Sequence, residues 1–87
     1  MRLDKYLKVS RLIKRRTVAK DVCNGDKVSV NHRVVKPSAQ VAPDDIITID
    51  MKNRILEVKV LATPAAARAE QAETLYEVLV DKVKDIN

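Results

Sequence analysis

The sequence has very few aromatic residues, glycines and cysteines. It contains no Phe or Trp, two Tyr, one Gly and one Cys among 87 residues. A lone cysteine cannot close an intramolecular disulfide, and scarce aromatics leave little for stacking on unpaired bases. No apolar run approaches the roughly 18 residues of a membrane span, and no apolar segment of a signal peptide follows the basic start. We therefore expect a cytoplasmic protein with a light aliphatic core and no membrane partner.

Groups suited to catalysis or metal binding are also scarce. His32 is the single histidine and lies in a predicted turn, while Cys23 has no second cysteine or nearby histidine to complete a metal site. No glycine-rich phosphate loop is present, and no nucleophile has an obvious base. We predict that the protein is not an enzyme and needs no metal or cofactor. Cys23 is interpreted as a small core residue rather than a reactive thiol.

Positive charge is abundant and unevenly distributed. Residues 1–36 hold 11 Lys or Arg and three acids, a net of +8, whereas residues 37–87 hold six basic residues and nine acids, a net of −3. Such asymmetry indicates a polyanionic partner, most often nucleic acid. The alternative is a solvated helical surface whose charge only keeps the protein soluble.

Two short helices are predicted at the basic start. Leu3, Tyr6 and Leu7 recur with helical spacing, Ser10 continues that side, and Asp4 with the neighbouring lysines falls on the opposite side. A bend is expected near residues 10–14, followed by a second helix over about 15–23 that ends at Asn24-Gly25.

The middle of the sequence predicts a small antiparallel sheet. Residues 27–30 alternate polar and apolar, Asn31-His32 forms a turn, and residues 33–35 return. A turn at 43–45 precedes a strand over 46–49, and a turn around 52–53 precedes a strand over 55–61.

The end of the sequence predicts an amphipathic helix of about five turns. Thr63-Pro64 is typical of a helix start, and Leu75, Leu79 and Val83 share one side with helical spacing. The expected fold class is thus α+β. Residues 1–62 would form the binding domain with its sheet extension, and residues 63–87 a C-terminal helix packed on it or extending from it.

Several segments in a fixed order resemble a known RNA-binding family. These are RLDKYL, KRRTVAKDV, NGDKVSVN, KPS and APDDIITI. Together they resemble the domain first described in ribosomal small-subunit protein four, over about residues 1–50. The resemblance implies two helices on a small sheet, the alpha-L RNA-binding motif, and a helical surface that binds structured RNA. His32 and Asp44 stand where that family commonly has glycine, so both turns must accommodate a side chain, with positive φ as one solution.

The opening RLDKYLKVSRLIKRRT and the later AETLYEVL narrow the resemblance to the bacterial ribosome-quality-control family RqcP and its heat-shock-protein-fifteen relatives. This implies binding to rRNA and peptidyl-tRNA on a split large ribosomal subunit, and support of nascent-chain tailing together with RqcH. By motif position, the resemblance assigns RNA contacts to Arg2 and Arg16. The remaining predicted RNA-binding residues form a surrounding positive field: Lys5, Lys8, Lys14, Arg15, Lys20 and Lys27.

Two other functions remain open from the sequence. One is a heat-shock-protein-fifteen-type factor that rescues obstructed large subunits without taking part in tailing. The other is a protein-interaction module that uses the basic surface on an acidic protein. A monomer is expected in each case.

Overall fold

A five-stranded antiparallel sheet organises the molecule. The computed structural model describes residues 1–13, 25, 27–51 and 54–83. The strand order is β2-β1-β3-β4-β5. The elements, in chain order, are α1 (Leu3–Val9), β1 (Val28–Val30), β2 (Arg33–Val34), β3 (Ile46–Met51), β4 (Arg54–Val60), α2 (Ala69–Ala72), a 3-10 turn (Glu73–Leu75) and β5 (Tyr76–Val83).

The β1–β2 hairpin turns on two residues with positive φ. Asn31 has φ 52° and His32 has φ 68°, as a type I′ turn requires at both central positions. The Asn31 carboxamide accepts a hydrogen bond from the Ile46 N–H at 3.0 Å, which ties this turn to β3. Asp44, in the turn before β3, has φ 76°. Both turns therefore accommodate a side chain at positive φ in place of glycine, and His32 lies exposed in the predicted turn.

Helix α1 packs its apolar side on one face of the sheet. Leu3, Tyr6 and Leu7 are fully buried, and Ser10 continues that buried side as predicted. They meet buried side chains of β1, β3, β4 and the preceding loop, namely Val28, Val30, Val41, Ile47, Ile49, Leu56, Val58 and Val60. The first predicted helix and the central strands are confirmed, so the α+β class holds. The predicted second helix at 15–23 and Cys23 lie outside the described residues, as does the turn at 52–53.

The predicted bend after α1 is confirmed. The helix ends at Val9, and Arg11 has φ 59°, in the left-handed region. The Arg11 N–H donates to the Lys8 carbonyl and the Ile13 N–H to the Leu7 carbonyl, each at 3.0 Å. These bonds satisfy carbonyls that the last helical turn leaves without a partner.

The predicted C-terminal helix is wrong. Among residues 63–83 of the predicted helix, helical backbone is confined to residues 69–75, and the helix begins after Arg68 rather than at Thr63-Pro64. Residues 76–83 form β5, which pairs antiparallel with β4 from Val60↔Tyr76 to Arg54↔Val83. Tyr and three Val in this segment favour extended backbone, and β4 offers an edge on which they complete the sheet. The pairing has a bulge between Glu57 and Val58, opposite the extra residue Leu79.

Candidate nucleic-acid interface

The loop before β3 fixes the start of α1, where Arg2 lies. The Leu3 N–H donates to the Ala39 carbonyl at 2.7 Å, and the Asp4 N–H donates to the Pro37 carbonyl at 3.1 Å. These are N–H groups that a helix cannot satisfy within itself. The backbone beside Arg2 is therefore held by residues 37–39, although the two segments are far apart in sequence.

A buried carboxylate orients the Arg2 side chain. Asp4 is predicted to lie on the exposed side of α1, but its side chain is 0% exposed, against 45% for Arg2. It accepts hydrogen bonds from Arg2 Nε and Nη2, both at 3.2 Å, and from the Lys5 N–H at 2.8 Å. The sequence pattern misplaced Asp4 because the Arg2 guanidinium and the Lys5 backbone N–H pair with its carboxylate, which makes its burial possible. The pair uses two of the five guanidinium N–H donors, so Arg2 can bind Asp4 and a phosphate together.

The exposed cations of α1 and of the bend after it border a groove. Lys5, Lys8 and Arg11 line one side of it, and the alanines of segment 65–67 line the other. The groove encloses about 310 Å³. Cations at successive turns of one helix side create a positive field along it, and such a field attracts a phosphate backbone.

The structure places the four described residues of the predicted site in three groups. Arg2 lies at the N-terminal end of α1, and Lys5 and Lys8 line the groove. Lys27 is exposed just before β1 and is not among the groove-lining residues. The remaining predicted RNA contacts lie outside the described residues: Lys14, Arg15, Arg16 and Lys20.

Sequence reasoning missed two residues of this surface. Arg11 lies three residues after Lys8, so the spacing of the basic residues already pointed to it. The spacing Arg-x-Asp at Arg2 and Asp4 is compatible with a local pair, but nothing in the local pattern shows that Asp4 is buried. The Asp4 backbone N–H is bonded to the distant Pro37 carbonyl, a contact that local sequence does not reveal.

The described residues offer little for covalent chemistry. Among them, no group of three or more His, Cys, Asp or Glu side chains is placed to hold a metal ion. Burial, reinforced by Tyr76, raises the pKa of Tyr6 to about 12, so its hydroxyl stays protonated near neutral pH. That hydroxyl donates to the Leu75 carbonyl at 2.7 Å, which is a structural role. In the part of the chain that the structure describes, no helix is long and apolar enough to cross a bilayer.

The fold and the basic helix define an RNA-binding class of domain. The family model for the S4 domain matches residues 1–47, which include α1, the β1–β2 hairpin and the start of β3. A solved structure of trimeric Heat Shock Protein 15 from Vibrio cholerae has the same fold. Its TM-score is 0.83 at 30% identity, covering 90% of this chain and 80% of that one.

Curated relatives resemble the chain over nearly its whole length. The RQC P-site tRNA stabilizing factor of Halalkalibacterium halodurans is 46% identical, covering 90% of this chain and 89% of its own. That of Bacillus subtilis is 40% identical, covering 94% of this chain and 95% of its own. The Heat shock protein 15 homolog of Haemophilus influenzae is 32% identical over 97% of this chain and 65% of its own. The chain belongs to the S4-domain family that includes the RQC P-site tRNA stabilizing factors.

Proposed function

We propose that the protein is a cytoplasmic ribosome-quality-control factor that binds rRNA and peptidyl-tRNA on the split large ribosomal subunit. Its relatives are named for stabilising a P-site tRNA, and the chain matches them over nearly all of its length. The observation that carries the proposal for this chain is the basic side of α1, where Arg2, Lys5 and Lys8 are exposed together. No catalytic step is part of this function.

Arg2 is the proposed positioning contact. A guanidinium offers a planar fork that matches phosphate, and the bidentate pair with Asp4 holds that fork in one orientation. Less entropy is lost on binding when the side chain is already ordered. Lys5, Lys8 and Lys27 add a sequence-independent attraction to the RNA backbone. Arg16, Lys14, Arg15 and Lys20 complete the proposed surface on the basis of the sequence.

The proposal extends to partners. On the large subunit, the protein would support tailing of the stalled nascent chain together with RqcH. The second candidate is rescue of obstructed subunits without tailing, which the match to the Haemophilus influenzae homolog supports. Tailing reactions assembled with and without RqcH and this protein separate the two, because the rescue candidate predicts no effect of the protein on tail length.

The test is co-sedimentation with large subunits that carry peptidyl-tRNA, at several salt concentrations. Affinity should fall at least about tenfold from low salt to above physiological salt, because several phosphates are neutralised. Arg2→Ala should weaken association, and Arg2→Lys should recover part of the loss, since charge returns without the planar fork. Arg16→Ala and Arg16→Lys test the second assigned contact in the same way.

Lys82 provides the matched control. Lys82 is exposed on β5, which is the last strand in the sequence and is not part of the basic helix. Lys82→Ala should leave association nearly unchanged. Equal losses for Arg2→Ala and Lys82→Ala would reduce the site to a diffuse charge effect, and a flat salt response would contradict electrostatic binding altogether.

A further inference from the structure

The groove beside α1 differs from an ordinary charged surface in having two unlike walls. One wall carries the cations Lys5, Lys8 and Arg11, all exposed. The other consists of the three consecutive alanines 65–67, which belong to the connection between β4 and α2. Its volume of about 310 Å³ lies at the lower end of the range for small-molecule sites.

The start of the connection that carries the alanines shares a hydrogen-bond acceptor with α1, the Leu75 carbonyl. The Leu61 N–H donates to the Leu75 carbonyl at 2.8 Å, which joins the start of the connection to the residue before β5. The Tyr6 hydroxyl donates to the same carbonyl at 2.7 Å. Because Tyr6 is on α1, the shared Leu75 carbonyl places the start of the alanine-carrying connection next to the cationic helix.

Arg11 adds a cation at a strained position. A non-glycine residue at φ 59° is uncommon, and such strain concentrates at functional sites. Glycine would fit this position after the helix without strain, but it would remove the third cation from the groove. The presence of Arg rather than Gly is therefore consistent with a role for its side chain.

The two walls fit a sugar–phosphate strand better than a base or an acidic peptide. Among the described residues that line the groove there is no aromatic ring on which a base could stack and no acid that would repel phosphate. Small methyl groups allow a backbone to approach closely and can contact the apolar side of a ribose. An acidic peptide carries side chains of varied size, which the uniform alanine wall does not match.

We propose that this groove binds one RNA strand through its sugar–phosphate backbone, with phosphates on Lys5, Lys8 and Arg11 and ribose against Ala65–Ala67. The inference rests on the proposed RNA-binding function and assigns part of that contact to the connection between β4 and α2. This segment lies outside residues 1–47, which the S4 domain model matches.

The decisive variant fills the groove without changing its charge. Ala66 is exposed and lines the groove, so Ala66→Leu should leave the melting temperature unchanged while it obstructs the strand. Affinity for purified large ribosomal subunits should fall about tenfold, as expected for loss of one charge-assisted contact. Ala69→Leu is the matched control, because Ala69 is also exposed but does not line the groove, and it should bind as the unmodified protein does.

A double-variant cycle links the two walls. Lys5→Gln with Lys8→Gln and Arg11→Gln should weaken binding, and adding Ala66→Leu should cause little further loss because the same strand is already displaced. Fully additive losses would contradict a shared strand. Equal affinity of Ala66→Leu and the unmodified protein would overturn the groove proposal and leave RNA binding by Arg2 intact.

Two further outcomes separate the remaining explanations. If the unmodified protein fails to bind large subunits, both the proposed function and the groove assignment that rests on it are wrong. Poly-glutamate serves as the acidic-peptide probe under the same conditions. If Ala66→Leu weakened poly-glutamate binding and not subunit binding, the groove would belong to an acidic protein and the RNA assignment would be wrong.

Discussion

At the scale of single residues, an ion pair with Asp4 restricts the conformations of the long Arg2 side chain in the interface. Exposed arginines lose considerable rotamer entropy when they bind, and this loss weakens many surface ion pairs. Asp4 reduces the loss for Arg2, because its buried carboxylate already receives two guanidinium donors at 3.2 Å. The Lys5 N–H bond at 2.8 Å in turn orients that carboxylate. Residues 2–5 therefore hold the Arg2 guanidinium in one orientation for binding. The neighbouring lysines contribute only a positive field.

We predict that the Arg11 side chain lowers the free energy of unfolding and strengthens association with large ribosomal subunits. Arg11→Gly removes the side chain from a left-handed position with φ 59°, and we expect a gain of about 0.5–1 kcal/mol in the free energy of unfolding. The same change should weaken association with large subunits, because a groove cation is lost. Denaturant melts and co-sedimentation of one preparation measure both effects.

Arg11→Gln is the matched control for this prediction. It removes the charge and keeps the β-carbon, so it should weaken binding without stabilising the protein. If Arg11→Gly left stability unchanged or lowered it, the left-handed backbone at this position would not be strained.

At the scale of elements, β5 and the turn before it contribute unequally to stability. Leu75 is 5% exposed, whereas Leu79 is 46% exposed and lies at the bulge opposite Glu57 and Val58. A helix would have buried both side chains on one side. In the sheet, the apolar residues of β5 are largely exposed, and the strand is held by its backbone pairing with β4.

Leucine-to-alanine changes distinguish these two positions. Leu75→Ala should lower the free energy of unfolding by about 2–4 kcal/mol, because it leaves a cavity under the connection to β5. Leu79→Ala should cost less than about 1 kcal/mol, since little buried apolar area is lost. Thermal or urea melts check both values. Equal and large losses of stability at both positions would instead support the helical packing that the sequence pattern predicts.

The sequence predicts those elements whose signals are local. Alternation in β1 and β3 and the helical spacing of Leu3, Tyr6 and Leu7 each lie within a few residues, and the structure contains these elements at nearly the expected bounds. The C-terminal segment was misassigned because Leu75, Leu79 and Val83 also satisfy helical spacing, while its pairing partner β4 is distant in sequence. Tertiary pairing decided between two patterns that the segment satisfies equally well.

The candidate site likewise has some features that the local sequence predicts and others that it does not. The concentration of cations on α1 is evident from the sequence, because charge and helical spacing are local properties. The burial of Asp4 and the alanine wall opposite α1 are not, since residues 37–39 and 65–67 reach α1 only in the folded chain. Long-range contacts therefore convert a basic helix into a shaped surface.

At the scale of the whole molecule, one carbonyl joins the basic helix to the C-terminal part of the sheet. The Leu75 carbonyl accepts from the Tyr6 hydroxyl at 2.7 Å, from the Leu61 N–H at 2.8 Å and from the Ala62 N–H at 3.3 Å. Helix α1, the end of β4 and the start of β5 thus meet at one point. The Tyr6 ring is also fully buried in the core, so the same side chain packs and anchors.

The Tyr6 anchor predicts a specific loss of stability at alkaline pH. Folding raises the pKa of Tyr6 from 10.0 to about 12, chiefly because burial disfavours the phenolate. The folded state therefore holds the Tyr6 proton more tightly than the unfolded state does, and its contribution is complete below about pH 10 and is lost as pH rises towards about 12. Tyr6→Phe should cost about 1 kcal/mol at neutral pH, a modest value because the Leu75 carbonyl keeps its two backbone donors. It should also make the free energy of unfolding fall less steeply above about pH 10, because the variant has no buried phenol that must ionise. Urea melts of the two proteins across this range measure the difference, and parallel curves would show that the Tyr6 hydroxyl does not anchor α1 as described.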